Sequence, residues 1–289
     1  MPIKSSELIL NPNGSIYHLN LLPENISNTI ILVGDPDRVS RVSKHFDTIE
    51  FETQKREFHT HTGLYKGKRI TVISTGIGTD NIDIVINELD ALVNIDLKTR
   101  NIKNNIQSLE LIRIGTSGSI QKEIPKDSFV ISEYSVGFDG LLHFYDSEHI
   151  QYKDISDAIV KETDWFKDKP RPYVVKCDPN LFNKLKSEKT FRGFTASNVG
   201  FYGPQGRILR LQIQDNAMND KLANFKYKEM SITNMEMETS AIYGLSNLLG
   251  HKALSMNAII ANRATGEFSE QPHELVDDLI KYTLNKLTE

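Results

Sequence analysis

Thr29-Ile30-Ile31-Leu32-Val33-Gly34-Asp35-Pro36-Asp37-Arg38 is the stretch whose reading decides the fold. Five apolar or β-branched residues end at a glycine, and a turn and an apparent helix start follow. Such a short run reads as a buried strand. Backbone N–H groups at a helix N-terminus carry positive potential, and Arg38 adds a full charge, so this corner is suited to hold an anion. The same residues equally suit a proline-containing turn in which Asp35 or Asp37 caps the helix.

Outward from this unit, comparable runs occur at Ile70–Ser74, Leu109–Ile114, Phe129–Val136, Tyr173–Val175 and Ala253–Ala261. Helical periodicity lies between several of them. Ile82, Val85, Ile86, Leu89, Leu92 and Val93 form one apolar stripe, and Val276, Leu279, Ile280, Thr283 and Leu287 form another. Gly250 closes the run Thr239–Leu249 as a helix C-terminal glycine does. Strands alternating with amphipathic helices predict an α/β fold, a three-layer α/β/α sandwich around a mixed central sheet. The polar stretch Asn94–Ser108 is expected to extend the preceding helix, and Asp146–Arg171 to be a surface excursion without a strand. Neither resembles a linker, so residues 1–289 are expected to form one domain.

Bulk properties narrow the function classes. The 289 residues include 34 basic and 38 acidic side chains, a net charge of −4, so no global field draws the chain to nucleic acid or anionic lipid. Any anion site must be local. Cys177 is the only cysteine, which excludes an internal disulfide and suits a reducing compartment. The N-terminus lacks the pattern of a signal peptide, and no stretch approaches the roughly 20 apolar residues of a membrane span. A soluble, cytoplasmic protein is expected.

Four further clusters are able to carry chemistry. Arg113-Ile114-Gly115-Thr116-Ser117-Gly118 places an arginine, two hydroxyls and two glycines at a strand end, where open α/β sheets collect ligands. Its alternative is a glycine-rich turn with a snorkelling arginine. Ser74-Thr75-Gly76-Ile77-Gly78-Thr79 is a similar corner, with glycines that permit close backbone approach. In Phe201-Tyr202-Gly203-Pro204-Gln205-Gly206-Arg207 the Gln205 amide is able to read a donor–acceptor edge of a nucleobase. Arg207 would donate to a carbonyl and Phe201 would stack; a solvated turn is the plainer reading. In Asn234-Met235-Glu236-Met237-Glu238, two carboxylates share a face if the segment is extended, and Glu238 suits a vicinal diol or simply a helix N-terminus. His59 and His61 read as alternating residues on an exposed strand face, and no zinc spacing, nucleophile elbow, Walker loop or dinucleotide fingerprint is present.

Taken in order, these stretches resemble the uridine phosphorylase branch of the nucleoside phosphorylase family, from His18 to Arg263. The resemblance implies phosphorolysis of uridine, or a related pyrimidine nucleoside, in nucleoside salvage and catabolism. Inorganic phosphate would be the co-substrate, with no resident cofactor or metal. It implies that Gly34, Arg38, Arg113 and Thr116 hold phosphate, with Arg56 reaching a neighbouring subunit's phosphate site. It implies His18 at a neighbour's ribose pocket, Glu236, Met237 and Glu238 around the ribose, and Phe201, Gln205, Arg207 and Arg263 around the base. Arg113, Arg38 and Arg207 would carry the catalysis. The expected assembly is a homo-oligomer, a dimer or a hexamer built as a trimer of dimers, with nucleoside and phosphate as its partners rather than nucleic acid or membrane.

Two departures from the family stand out. The 201–207 loop keeps Gln205 and Arg207 but differs around them. The family's potassium site would use Glu57 and the Ile77 carbonyl, and Asn81 replaces its serine, which argues against a bound potassium ion. The alternatives are a purine nucleoside phosphorylase or nucleosidase of the same superfamily, or a noncatalytic nucleoside-binding protein. A purine enzyme of this kind uses an aspartate near the position of Asn262, and an asparagine is no general acid at neutral pH.

Overall fold

A computed structural model describes residues 2–289. In chain order it contains β1 (Thr29–Val33), α1 (Pro36–Ser43), β2 (Thr48–Lys55), β3 (Phe58–Tyr65), β4 (Lys68–Ser74), α2 (Thr79–Asn94), β5 (Ile95–Asp96), β6 (Asn101–Ile102), β7 (Glu110–Ser119) and β8 (Phe129–Gly137). There follow α3 (Lys153–Glu162), β9 (Tyr173–Lys176), α4 (Pro179–Leu185), β10 (Thr190–Ser197), α5 (Met218–Asn224), β11 (Asn234–Glu236), α6 (Thr239–Leu249), β12 (Lys252–Asn262), β13 (Glu267–Phe268) and α7 (Pro272–Thr288).

The deciding stretch folds as read. β1 is buried along its whole length and lies between β4 and β7, parallel to both. Pro36 opens α1, and the Asp35 carboxylate caps it by accepting from the Asp37 N–H at 2.9 Å. Helices α2 and α6 pack together, while α1, α4 and α7 form a second group, so the mixed sheet has helices on both faces. Both predicted apolar stripes are buried, those of α2 and α7. Gly250 sits at φ 77°, the left-handed geometry that ends α6.

The sheet is more than a flat layer. β12 pairs with β7 on one side and β8 on the other, and β8, β10, β11 and β7 complete a closed ring of five strands. Its interior is polar: Ser132, Thr195, Asn234, Ser255 and Asn257 are fully buried and hydrogen-bonded to one another.

Two expectations fail. The stretch Asn94–Ser108 does not extend α2, which stops at Asn94. Ile95–Asp96 and Asn101–Ile102 pair as a small hairpin instead. The Asp96 carboxylate accepts from the N–H groups of Lys98 and Thr99, and the Asn94 side chain bonds the Gln107 backbone in both directions. Asx and Asn side chains here satisfy backbone groups that a helix would otherwise satisfy. His61, expected on an exposed face, is buried: α1 covers that side of β3, and Ser43 Oγ lies 2.7 Å from His61 Nδ1.

Candidate active site

The parallel registers bring three strand ends together, since Leu32 pairs with Arg113 and Val33 with Ser74. Their following turns, with the 201–207 loop and the β11–α6 corner, enclose a cleft of about 760 Å³. It is lined by Gly34, Arg38, Arg113, Thr116, Phe201, Gln205, Arg207, Glu236, Met237 and Glu238, all expected from the sequence. That volume suits a drug-sized polar molecule.

Arg113 is the centre of the site. Its guanidinium donates to the Glu238 carboxylate, lies 3.3 Å from Glu236 Oε2, and gives Nη1 to Asn257 Oδ1 at 2.9 Å. A Cβ on Gly115 would stand 1.8 Å from Nη1, so only a glycine leaves room for this pose. Burial pulls Arg113 down, but Glu238 and then Glu236 outweigh it and hold it above the usual arginine value. Glu238 is fixed at its other oxygen by the Gly78 N–H, 2.9 Å away. Burial drives the Glu236 carboxyl above the usual carboxylate range against the pull of Arg113. It accepts from Ser197 Oγ, from the Glu238 and Thr239 N–H groups and from Thr239 Oγ1.

Arg38 is less well satisfied. It gives Nη1 to the Ile114 carbonyl at 3.2 Å, while its Nε is buried with no hydrogen-bond partner among the described residues. Burial and then the neighbouring Arg113 charge lower it from the usual arginine value to about 10. An anion between the two arginines would relieve that repulsion and supply the missing acceptor.

The base-side loop is braced from within. Gln205 is 2% exposed, and its Oε1 accepts from Arg207 Nη1 at 2.6 Å. Arg207 also donates to the Phe201 carbonyl and stacks over the Phe201 ring at 3.8 Å. Arg263 lies beside Gly118 and donates to the Gln205 carbonyl at 2.5 Å. It braces the loop and is not itself part of the cleft lining. Burial lowers both arginines, and Arg207 is lowered further by Arg263.

His18 and Arg56 are not brought to this cleft. His18 Nδ1 lies 2.6 Å from Glu88 on α2, and Arg56 is exposed at the β2–β3 turn with φ 56°. At the candidate potassium position, the Asn81 amide donates to the Ile77 carbonyl at 3.4 Å. Among the described residues no group of three or more His, Cys, Asp or Glu is placed to hold a metal ion, and no helix is long and apolar enough to cross a membrane. Ser117, the second hydroxyl of the Arg113–Gly118 cluster, also lines the cleft; sequence reading missed Ile260 and Phe268 in the lining and Asn257 behind Arg113. For Asn257 a signal existed: a lone carboxamide within the apolar run Ala253–Ala261 needs a buried partner.

Two arginines and two buried carboxylates thus line one cleft, a charge arrangement able to hold an anion beside a hydrogen-bond donor. The chain belongs to the phosphorylase superfamily, whose pattern matches residues 28–287. It is similar to a uridine phosphorylase of Thermococcus kodakarensis, 29% identical over 272 residues, or 92% of this chain and 84% of that protein. A DeoD-type purine nucleoside phosphorylase of Bacillus subtilis is 27% identical over 94% of this chain and 99% of its own length. The crystal structure of a Trypanosoma brucei nucleoside phosphorylase, described as showing uridine phosphorylase activity, superposes with a TM-score of 0.87. It is 28% identical and covers 97% of this chain and 99% of that one.

Proposed function

We propose that this protein is a pentosyltransferase of the uridine phosphorylase type, converting uridine and inorganic phosphate to uracil and ribose 1-phosphate. The observation that carries the reading is the unpartnered, buried Nε of Arg38, an arginine that lines one cleft together with Arg113 and Glu238. Phosphate between Arg38, Arg113, Thr116 and the Gly34 backbone is held next to the ribose, whose 2′ and 3′ hydroxyls donate to Glu238. A phosphate oxygen forms a bond to C1′ as the bond from C1′ to the base nitrogen breaks. The electron pair leaves with the pyrimidine, which then takes up a proton. Fixing both reactants in one geometry supplies roughly 7–11 kcal/mol. Donors from Gln205 and Arg207 stabilise the departing base.

Asn262 favours the pyrimidine reading over the purine one. It is 1% exposed, its amide donates to the Gln121 and Ile124 carbonyls, and its oxygen accepts from the Ala264 and Thr265 N–H groups. No part of it is left for a purine, and it has no acidic proton to give. The chain works as one domain, 1–289, in the cytoplasm, in nucleoside salvage. It acts as a homo-oligomer, dimer or hexamer, in which His18 and Arg56 serve a neighbour's cleft. No cofactor or metal takes part.

The test is absorbance-monitored cleavage of uridine with and without inorganic phosphate, with inosine alongside. Phosphate-dependent release of uracil with inosine untouched is the expected result. Cleavage of inosine would overturn the base assignment, and binding of uridine without turnover would turn the protein into a nucleoside-binding one.

A further inference from the structure

We propose that Asn257 is a positioning residue for phosphate binding: a neutral clamp that aims the Arg113 guanidinium without cancelling its charge. The inference rests on the assignment of Arg113 to phosphate.

Asn257 lies on β12, paired with Gly115 of β7 and Val130 of β8, and is fully buried inside the closed ring. Its Oδ1 accepts from Arg113 Nη1 at 2.9 Å. The orientation of its amide is set by two further bonds, because Nδ2 donates to Ser132 Oγ at 3.2 Å and Ser255 Oγ at 3.3 Å. A flipped amide would point its NH₂ at the guanidinium, lose the Arg113 bond and turn its oxygen toward the two serine hydroxyls.

The support runs around the ring. Ser132 Oγ and Thr195 Oγ1 are 2.6 Å apart, and Thr195 Oγ1 donates to Asn234 Oδ1 at 3.0 Å. The Thr195 proton is thereby committed, so Ser132 donates to Thr195 and accepts from Asn257. Asn234 Nδ2 then donates to Ser117 Oγ at 2.9 Å. Every donor in this chain, from Arg113 to Ser117, points the same way round, so each bond polarises the next.

Neutrality is the second half of the proposal. Arg113 already contacts two carboxylates, Glu238 and Glu236. A third anion at residue 257 would fill the donor side of the guanidinium and repel phosphate. A carboxamide fixes the plane of the guanidinium and leaves the charge balance to the substrate. An apolar residue would leave Nη1 buried and unpaired.

Three variants, Asn257→Ala, Asn257→Ser and Asn257→Asp, are compared with wild type in steady-state phosphorolysis, with phosphate and uridine each varied, and their folding is checked by circular dichroism and thermal melting. Loss of a hydrogen bond to a buried charge is expected to raise the phosphate KM of Asn257→Ala about tenfold or more. The uridine KM should stay within about twofold. Asn257→Ser keeps an acceptor oxygen and should fall between the two. For Asn257→Asp, kcat/KM for phosphate relative to wild type should be lowest at alkaline pH and recover as pH falls, because a protonated aspartic acid restores a neutral clamp.

A phosphate KM unchanged in folded Asn257→Ala, equal rises in both KM values, or no pH-dependent recovery in Asn257→Asp each overturns the proposal. If Asn257→Ala does not fold, the Ser and Asp variants decide by the same criteria. Wild type that cleaves uridine without needing phosphate would instead sink the phosphate assignment of Arg113, and the clamp with it. A phosphate-dependent wild type with indifferent Asn257 variants removes the clamp alone.

Discussion

Arg113 and its neighbours show how far one side chain depends on the absence of another. Gly115 has no side chain to offer, and the guanidinium lies across its Cα. In Gly115→Ala the new methyl group would stand 1.8 Å from Nη1 and 2.4 Å from Cζ, so the arginine must leave its pose. Turnover should fall at least about a hundredfold, since a displacement near 1 Å of a positioning group has that effect. Far-UV circular dichroism should remain native, because Gly115 is not one of the positive-φ glycines and its backbone accepts an alanine. Normal kinetics in a folded Gly115→Ala variant would falsify the pose of Arg113 described above. The arginine and the glycines were visible in Arg113–Gly118, but their mutual dependence was not, because it lies in the direction of a side chain across its own strand. His18 and Arg56 mark the opposite limit: they were noticed only through a family resemblance, and in this chain both lie outside the cleft.

At the level of elements, legibility followed periodicity. α2, α6 and α7 were readable because their apolar residues recur at helical spacing and end at recognisable caps. β1, β4, β7 and β12 were readable as apolar runs between turn residues. The edge strand β2 was not, because Thr48–Lys55 is mostly polar and exposed, and β10 was not, because Thr190–Ser197 begins exposed and then buries hydroxyls. The β5–β6 hairpin had neither period nor apolar run, and side chain to backbone bonds decided its shape. The same logic predicts where stability resides. Leu89 is fully buried on α2, so Leu89→Ala should lower unfolding free energy by about 2–5 kcal/mol in urea titration. A loss below about 1 kcal/mol would mean that the α2 stripe is not core.

For the molecule as a whole, Cys177 is a built-in reporter. It is free and 5% exposed, and burial followed by the Glu133 charge pushes its thiol up to about 12. At pH 8 the folded protein therefore holds almost no thiolate, and alkylation should be slow until urea exposes the residue. The labelling midpoint should coincide with the loss of circular dichroism. Fast labelling of the native protein would place Cys177 on the surface instead. The sign for stability follows from the same shift. The folded state keeps its proton between about pH 9 and 12 while the unfolded chain releases it, so this group's contribution falls as pH climbs through that window.

The closed ring of strands also has a history within each round of synthesis. β7 ends at Ser119, yet the parallel partner that closes it, β12, begins at Lys252. A ribosome must add more than a hundred residues while that edge of β7 has no parallel neighbour, and an open edge is where chains pair wrongly. Arg113 emerges early, but Glu236, Glu238 and Asn257, which neutralise and aim it, emerge late. A chain interrupted before residue 236 thus carries a buried-type arginine without its counter-charges, and one interrupted before residue 252 has the carboxylates but still lacks the strand that closes the ring and aims the guanidinium.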